Sequence, residues 1–138
     1  MGILNYIAKS ARKSSAASGI ESILTHYKKS HVFDGDPKST AERIIRHSVS
    51  VLPELIELEL ETPVFIAGAL TMELIRMDAD TLHSPVYNLA LGTVLQSLTT
   101  PEKFDSLTLR ERKLIEAAFT TYINFSEGRK SHIDLRSI

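Results

Sequence analysis

The chain has 138 residues, enough for one domain that buries a sizeable core without metal or disulfide staples. Its 16 lysines and arginines nearly balance 17 acids, and a net charge of −1 gives no global attraction for nucleic acid or an anionic membrane. Cysteine is absent, which excludes disulfides, thiolate metal sites and cysteine nucleophiles.

Ile3, Leu4, Ile7, Ala8 and Ala11 recur at helical spacing, so the chain is expected to open on a short amphipathic helix with Lys9, Arg12 and Lys13 on its polar side. Its acid-poor, Ser-rich beginning shares the composition of an organellar transit peptide and of an ordinary basic helix. Ser14 to Gly19 are all small, and the expectation there is a hinge or a frayed continuation. Ile20, Ile23, Leu24 and Tyr27 resume the pattern up to Lys28 and Lys29, which suit a helix C-terminus.

Asp34-Gly35-Asp36-Pro37 is a turn signal, and Ser39 with Glu42 forms the S-x-x-E capping box of the next helix. Its inward stripe is Ala41, Ile44, Ile45, Val49 and Leu52, with Ser48 small enough to join it, while His47 is expected outside. Pro53 should kink or restart that helix. Ile56, Leu58 and Leu60 alternate with glutamates at strand spacing, but one short run without a partner strand reads as a helix end. Charge is uneven here. Residues 1–33 carry Lys9, Arg12, Lys13, Lys28 and Lys29 against Glu21 alone, a net of +4. Residues 34–61 carry seven acids against Lys38, Arg43 and Arg46, a net of −4, so attraction between these segments is expected.

Thr62 to Met72 and Ser84 to Thr100 contain no charge at all, and each begins with a hydroxyl residue followed by proline. Helices without a polar face belong in a core or under another chain. Thr62-Pro63 and Ser84-Pro85 are expected to cap helices running to about Met77 and Leu98, and Thr100-Pro101 to start a short turn with Phe104. Gly68 and Gly92 predict close backbone approach, with the antiparallel seam between these two helices as its expected place and a homodimer seam as the alternative. Thr108 and Glu111 form a second capping box, for a last helix carrying Leu114, Ile115, Ala118, Phe119, Tyr122 and Phe125 and stopping before Gly128. Leu107-Thr108-Leu109-Arg110-Glu111-Arg112 resembles the opening helix of the LuxR-type helix-turn-helix. The chain then departs from that family, with no glycine turn and no room for a recognition helix, so DNA reading is not implied.

Two constellations carry candidate chemistry. Asp78, Asp80 and His83 lie between the uncharged helices; Asp80 and His83, at i and i+3, would share a helix face as in metal-binding bundles, yet no second acid-x-x-His completes such a set. The expected role is a polar connection in which Asp80 serves a cap. Glu73 and Arg76 interrupt the first uncharged helix; an exposed marginal pair is expected there, worth about 0.2–0.5 kcal/mol, against the alternative of a core carboxylate acting as a general base. No nucleophile elbow, phosphate loop or zinc-protease motif is present.

The expected fold is all-α: a single-domain bundle of five to six helices around a central antiparallel apolar pair, with a basic N-terminal helix at 1–18, ordered or mobile, the bundle at 19–128 and a polar tail at 129–138, mobile unless it docks on a partner. The expected function is that of a non-enzymatic interaction protein, homo-oligomeric or bound to a protein partner, in the cytoplasm. No catalytic residue, metal or cofactor is assigned, no apolar run reaches the ~20 residues of a bilayer span, and nucleic acid is not an expected partner. The alternatives are a small-molecule or metal binder with its site near Glu73, Asp80 and His83, and a nucleic-acid-associated regulator using the basic arm.

Overall fold

Proline placement sets most of the helix starts. Pro37, Pro63, Pro85 and Pro101 each occupy one of the first two helical positions, where a missing N–H leaves no bond unmade. The computed structural model describes residues 2–58, 60–77 and 82–135. Within them the chain is all-helical: α1 (Gly2–Lys29), α2 (Pro37–Val51), α3 (Glu54–Glu57), α4 (Thr62–Ile75), α5 (Ser84–Leu98), α6 (Pro101–Ser106) and α7 (Leu109–Ser126). Seven helices among the described residues replace the five to six expected.

Of the hinge or frayed continuation expected at Ser14–Gly19, the helix continues, and the hinge is the first correction. α1 runs unbroken through it, because small side chains there serve contact: Ala16 is fully buried, and a Cβ built on Gly19 would lie 2.5 Å from Ile66 Cδ1 of α4. The second concerns α2. Its cap is Asp36, whose carboxylate accepts the Ser39 N–H at 2.9 Å, so Pro37 opens the helix and the Ser39–Glu42 box lies inside it. Pro53 does restart the chain, as the single turn α3, so the alternating run is helical at Ile56 and not a strand. Thr62 and Ser84 are the first helical residues of α4 and α5, one position later in role than the caps expected of them. The Thr108–Glu111 box caps α7 as read, Thr100 caps α6, and Gly128, at φ +76°, follows the end of α7.

Every residue of α4 from Val64 to Leu74 is buried. α1, α2, α3, α5 and α7 all pack against it, and the buried apolar side chains form one cluster. The glycines do not serve an α4–α5 seam. A Cβ on Gly68 would meet Leu55 Cδ2 of α3 at 2.8 Å, and one on Gly92 would meet the Tyr122 ring of α7 at 2.7 Å. Each admits a side chain from a third helix.

The expected attraction of α1 to residues 34–61 is present at Lys28, whose charge adds to the His83 and Ser39 hydrogen bonds in lowering the Asp34 and Asp36 carboxyls. Among the described residues, α1 reaches that segment through carbonyls: Arg12 donates to Ile56 O from Nε and Nη2, at 3.1 and 2.7 Å, and Lys28 donates to Gly35 O. The acids turn elsewhere, Glu61 to Lys103 and Glu54 to Arg110. After α7 the chain folds back on its own body. Lys130 Nζ donates to the carbonyls of Ile75, the last residue of α4, and of Met77 just past it, Ser131 is buried on Thr121, and Leu135 is buried. Docking of this segment therefore needs no partner chain.

Asp36 gives a test of the α2 cap. The Ser39 N–H holds its carboxyl below the ordinary 3.8. A depressed folded value contributes stability that is complete above the ordinary value and lost as pH falls through the lower, folded one. Asp36→Asn keeps an acceptor without a titrating charge, so thermal melts from pH 6 down to about pH 2.5 should show a shallower acid slope in the variant. Identical slopes would remove Asp36 as the titrating cap.

Candidate functional site

Near its C-terminal end α4 carries one charged residue within its buried stretch. Glu73 is 1% exposed, so the reading of a marginal pair at a solvated edge is corrected. Burying a carboxylate alone would cost several kcal/mol, and two guanidinium groups offset that cost. Arg76, one turn on, donates from Nε to Oε1 at 3.1 Å and from Nη2 to Oε2 at 2.8 Å. Arg43 of α2 donates from Nη1 to Oε2 at 3.0 Å. The arginine side chains remain 38% and 47% exposed, so their charge reaches water while the carboxylate does not. Three N–H donors thus take three of the carboxylate's roughly four lone-pair sites. The arrangement acts as a brace between α2 and α4.

Arg43 also donates from Nη2 to Tyr87 Oη, at 3.4 Å. Tyr87 lies on α5, and burial pushes its phenol above the ordinary range. Hydrogen bonding to Glu73 likewise raises Arg76 and keeps it charged. On the other side of Tyr87, three rings gather: Phe33 to His83 at 5.2 Å, His83 to Tyr87 at 5.9 Å and Phe33 to Tyr87 at 6.4 Å between centroids. His83, at the N-cap of α5, sets Nε2 2.7 Å from Asp34 Oδ1, and this bond lowers the Asp34 carboxyl.

Of the residues the sequence proposed, Glu73 and His83 therefore stand on two sides of Tyr87, and each has its own partner. Asp78 and Asp80 lie outside the described residues. Among the described residues no three His, Asp or Glu side chains converge on a common point. Sequence reasoning missed Arg43, Tyr87, Asp34 and Phe33. The available signal was the phenol of Tyr87, a hydroxyl inside a charge-free helix that needs a polar partner once buried. Nothing local named Arg43 as that partner, since it flanks the inward stripe of α2.

Two surface features complete the inventory. On α1, Ile3, Leu4 and Ile7 are 77%, 77% and 56% exposed, an aliphatic stripe left open among the described residues. Between α1 and α2 runs an open groove of about 700 Å³, in which Ala17, Ile45 and Val49 lie among the charged side chains of Lys13, Glu21, Lys38, Glu42 and Arg46. Arg12 is taken up by the Ile56 carbonyl, which leaves the basic arm with Lys9 and Lys13. No protein-family model, curated protein or solved structure matches the chain.

Double substitution tests the brace. Removing one arginine leaves Glu73 a partner; removing both strands a buried carboxylate. Arg43→Met with Arg76→Met should destabilise by more than the two single effects combined, with a coupling of about 0.5–3 kcal/mol in urea unfolding. Additive effects would show that the carboxylate does not depend on the pair.

Proposed function

We propose that this chain is a non-enzymatic helical interaction protein that works as a homo-oligomer in the cytoplasm, with α4 and α5 as an antiparallel central pair. The observation carrying this reading is the exposed stripe of Ile3, Leu4 and Ile7 on a helix whose other end is built into the core. Uncovered aliphatic side chains that line up on one helix face mark a place where another surface sits. α4, the most apolar helix, supports the reading in a different way: it is spent on its own core, so association falls to α1. The polar clusters support it too, because Glu73 and His83 are each engaged in fold-holding contacts.

Light scattering over a range of concentrations tests the proposal. A concentration-dependent rise to a multiple of the 15.4 kDa chain mass is expected, and Ile7→Glu, at an exposed position, should return it to monomer with an unchanged helical spectrum. A strict monomer at every concentration would remove the reading.

A small-molecule site beside Tyr87 is the second reading, favoured by the single observation that its ring and hydroxyl join the Glu73 brace to the His83–Asp34 pair. A thermal shift with divalent metals or small carboxylates, abolished by Tyr87→Phe or His83→Ala, is what it predicts. No shift with any of them counts against it. For a nucleic-acid regulator the loss of Arg12 to Ile56 leaves little basic surface on the arm.

A further inference from the structure

Where the chain after α7 folds back against α2 and α4, it leaves an open cavity of about 360 Å³. Three elements build its walls. α4 contributes Met72, Ile75 and Arg76, which share one helix face at i, i+3 and i+4. α2 contributes His47 and Val51, one turn apart, and the returning segment contributes Ile133 and Leu135. That last wall is fastened in place. Lys130 Nζ donates to the Ile75 and Met77 carbonyls at 3.3 and 2.9 Å, and Thr121 and Ser131 share a buried hydrogen bond of 2.9 Å. Val51, Ile75 and Ile133 pack against the core yet stay half-buried, so part of their apolar surface still meets water. Covering that surface is favourable. Apolar walls with a few polar groups, around a volume of this order, are the usual build of a small-molecule site.

Arg76 gives the cavity its chemistry. One edge of its guanidinium, Nε and Nη2, is taken up by Glu73 at 3.1 and 2.8 Å. The other edge, Nη1 with the second Nη2 hydrogen, has no acceptor among the described residues, and the side chain is 47% exposed. A guanidinium is a rigid planar fork, so fixing one edge on a buried carboxylate also sets the direction of the other. Such an arginine loses less rotamer freedom on binding than a loose surface one. Charge limits what it can take. Arg43 and Arg76 share the single buried carboxylate of Glu73, an excess of 2 − 1 = +1. Asp134 stands in the lining and is itself engaged, which disfavours a second negative charge on a ligand. His47 adds a ring N–H to the same lining.

We infer that this cavity binds a small monocarboxylic acid with an apolar body. The carboxylate pairs end-on with Nη1 and Nη2 of Arg76, and the body lies on Val51, Met72 and Ile133. Bidentate pairing of this kind selects a planar, singly charged acceptor. Neither the α1 stripe nor Tyr87 or His83 lines the cavity, so the site is separate from both functional readings above. Glu73 then has two effects through one contact: it ties α2 to α4, and it holds Arg76 ready for a ligand.

Titrating the isotopically labelled full chain with hexanoate, followed by amide NMR, tests the assignment. Hexanoate should shift resonances of residues 47–51, 72–77 and 131–135 along one saturable curve. Hexan-1-ol keeps the body without the charge and should bind about tenfold or more weakly. Acetate, which keeps the charge without the body, should bind more weakly as well, and so should the dianion hexyl phosphate. Arg76→Met leaves Glu73 its bond to Arg43 and should lower hexanoate affinity about tenfold. Val51→Trp fills the cavity without touching the carboxylate brace and should abolish the shifts, so it carries the test if Arg76→Met does not fold. Hexanol or hexyl phosphate binding as tightly as hexanoate would overturn the inference. Wild-type affinity in either folded variant, or no saturable shift, would do the same. Shifts centred on Ile3 to Ile7, or on Tyr87 and His83, would also overturn it, by placing the acid at one of the surfaces proposed above.

Discussion

Enclosing α4 on all sides is the constraint that organises the rest of this protein. From Val64 to Leu74 every residue is buried, so other helices must supply neighbours on every side. α1, α2, α3, α5 and α7 do so. Its backbone can satisfy its own hydrogen bonds only as a helix, and Thr71, the hydroxyl within it, donates back to Ala67. Gly68 admits Leu55, and Ile66 meets α1 at Gly19. Small residues thus stand where neighbours come closest, which is why a stretch of α1 that looks flexible in composition is a rigid contact.

The end of α4 is where this enclosure meets charge. Glu73 is buried with the apolar residues around it, and the Arg43 and Arg76 side chains reach in from a half-exposed margin to hold it. Lys130 covers carbonyls at the same end and just past it, at Ile75 and Met77. One helix terminus is therefore closed by α2, by the chain after α7 and, through Tyr87, by α5. A carboxylate so bound ties helices together, and breaking one contact at this end leaves polar groups without water or partner.

α1 has the opposite character. Half of it is fastened by Ala16, Ile20 and Leu24, while Ile3, Leu4 and Ile7 remain in solvent on a helix continuous with the fastened part. Continuity matters, because a rigid helix holds an apolar stripe in a fixed position relative to the neighbouring groove, and a hinge would not. Pre-organisation of this kind lowers the ordering cost of association. That is the physical ground of the proposal that this protein acts through a surface, with the polar clusters as part of its frame.

Much of the helical framework was legible in residue order. The uncharged segments, the Pro-marked starts of α4, α5 and α6, the Thr108–Glu111 box and the stop before Gly128 depend on local chemistry, and the chain follows them. Where two local signals competed, as Asp36-Pro37 and Ser39–Glu42 did, the earlier start won because Pro37 is already set for a helix. The roles of Gly19, Gly68, Gly92, Arg43 and Tyr87 were not legible, since each is defined by a residue far along the chain. So is the fate of Glu73: spacing from Arg76 showed one partner, and only the packing of α2 and α5 around α4 supplied burial and the second arginine. Local order determined where helices begin and end and which faces are apolar; tertiary structure decided which of those faces the chain could cover itself, because that depends on which helices arrive alongside.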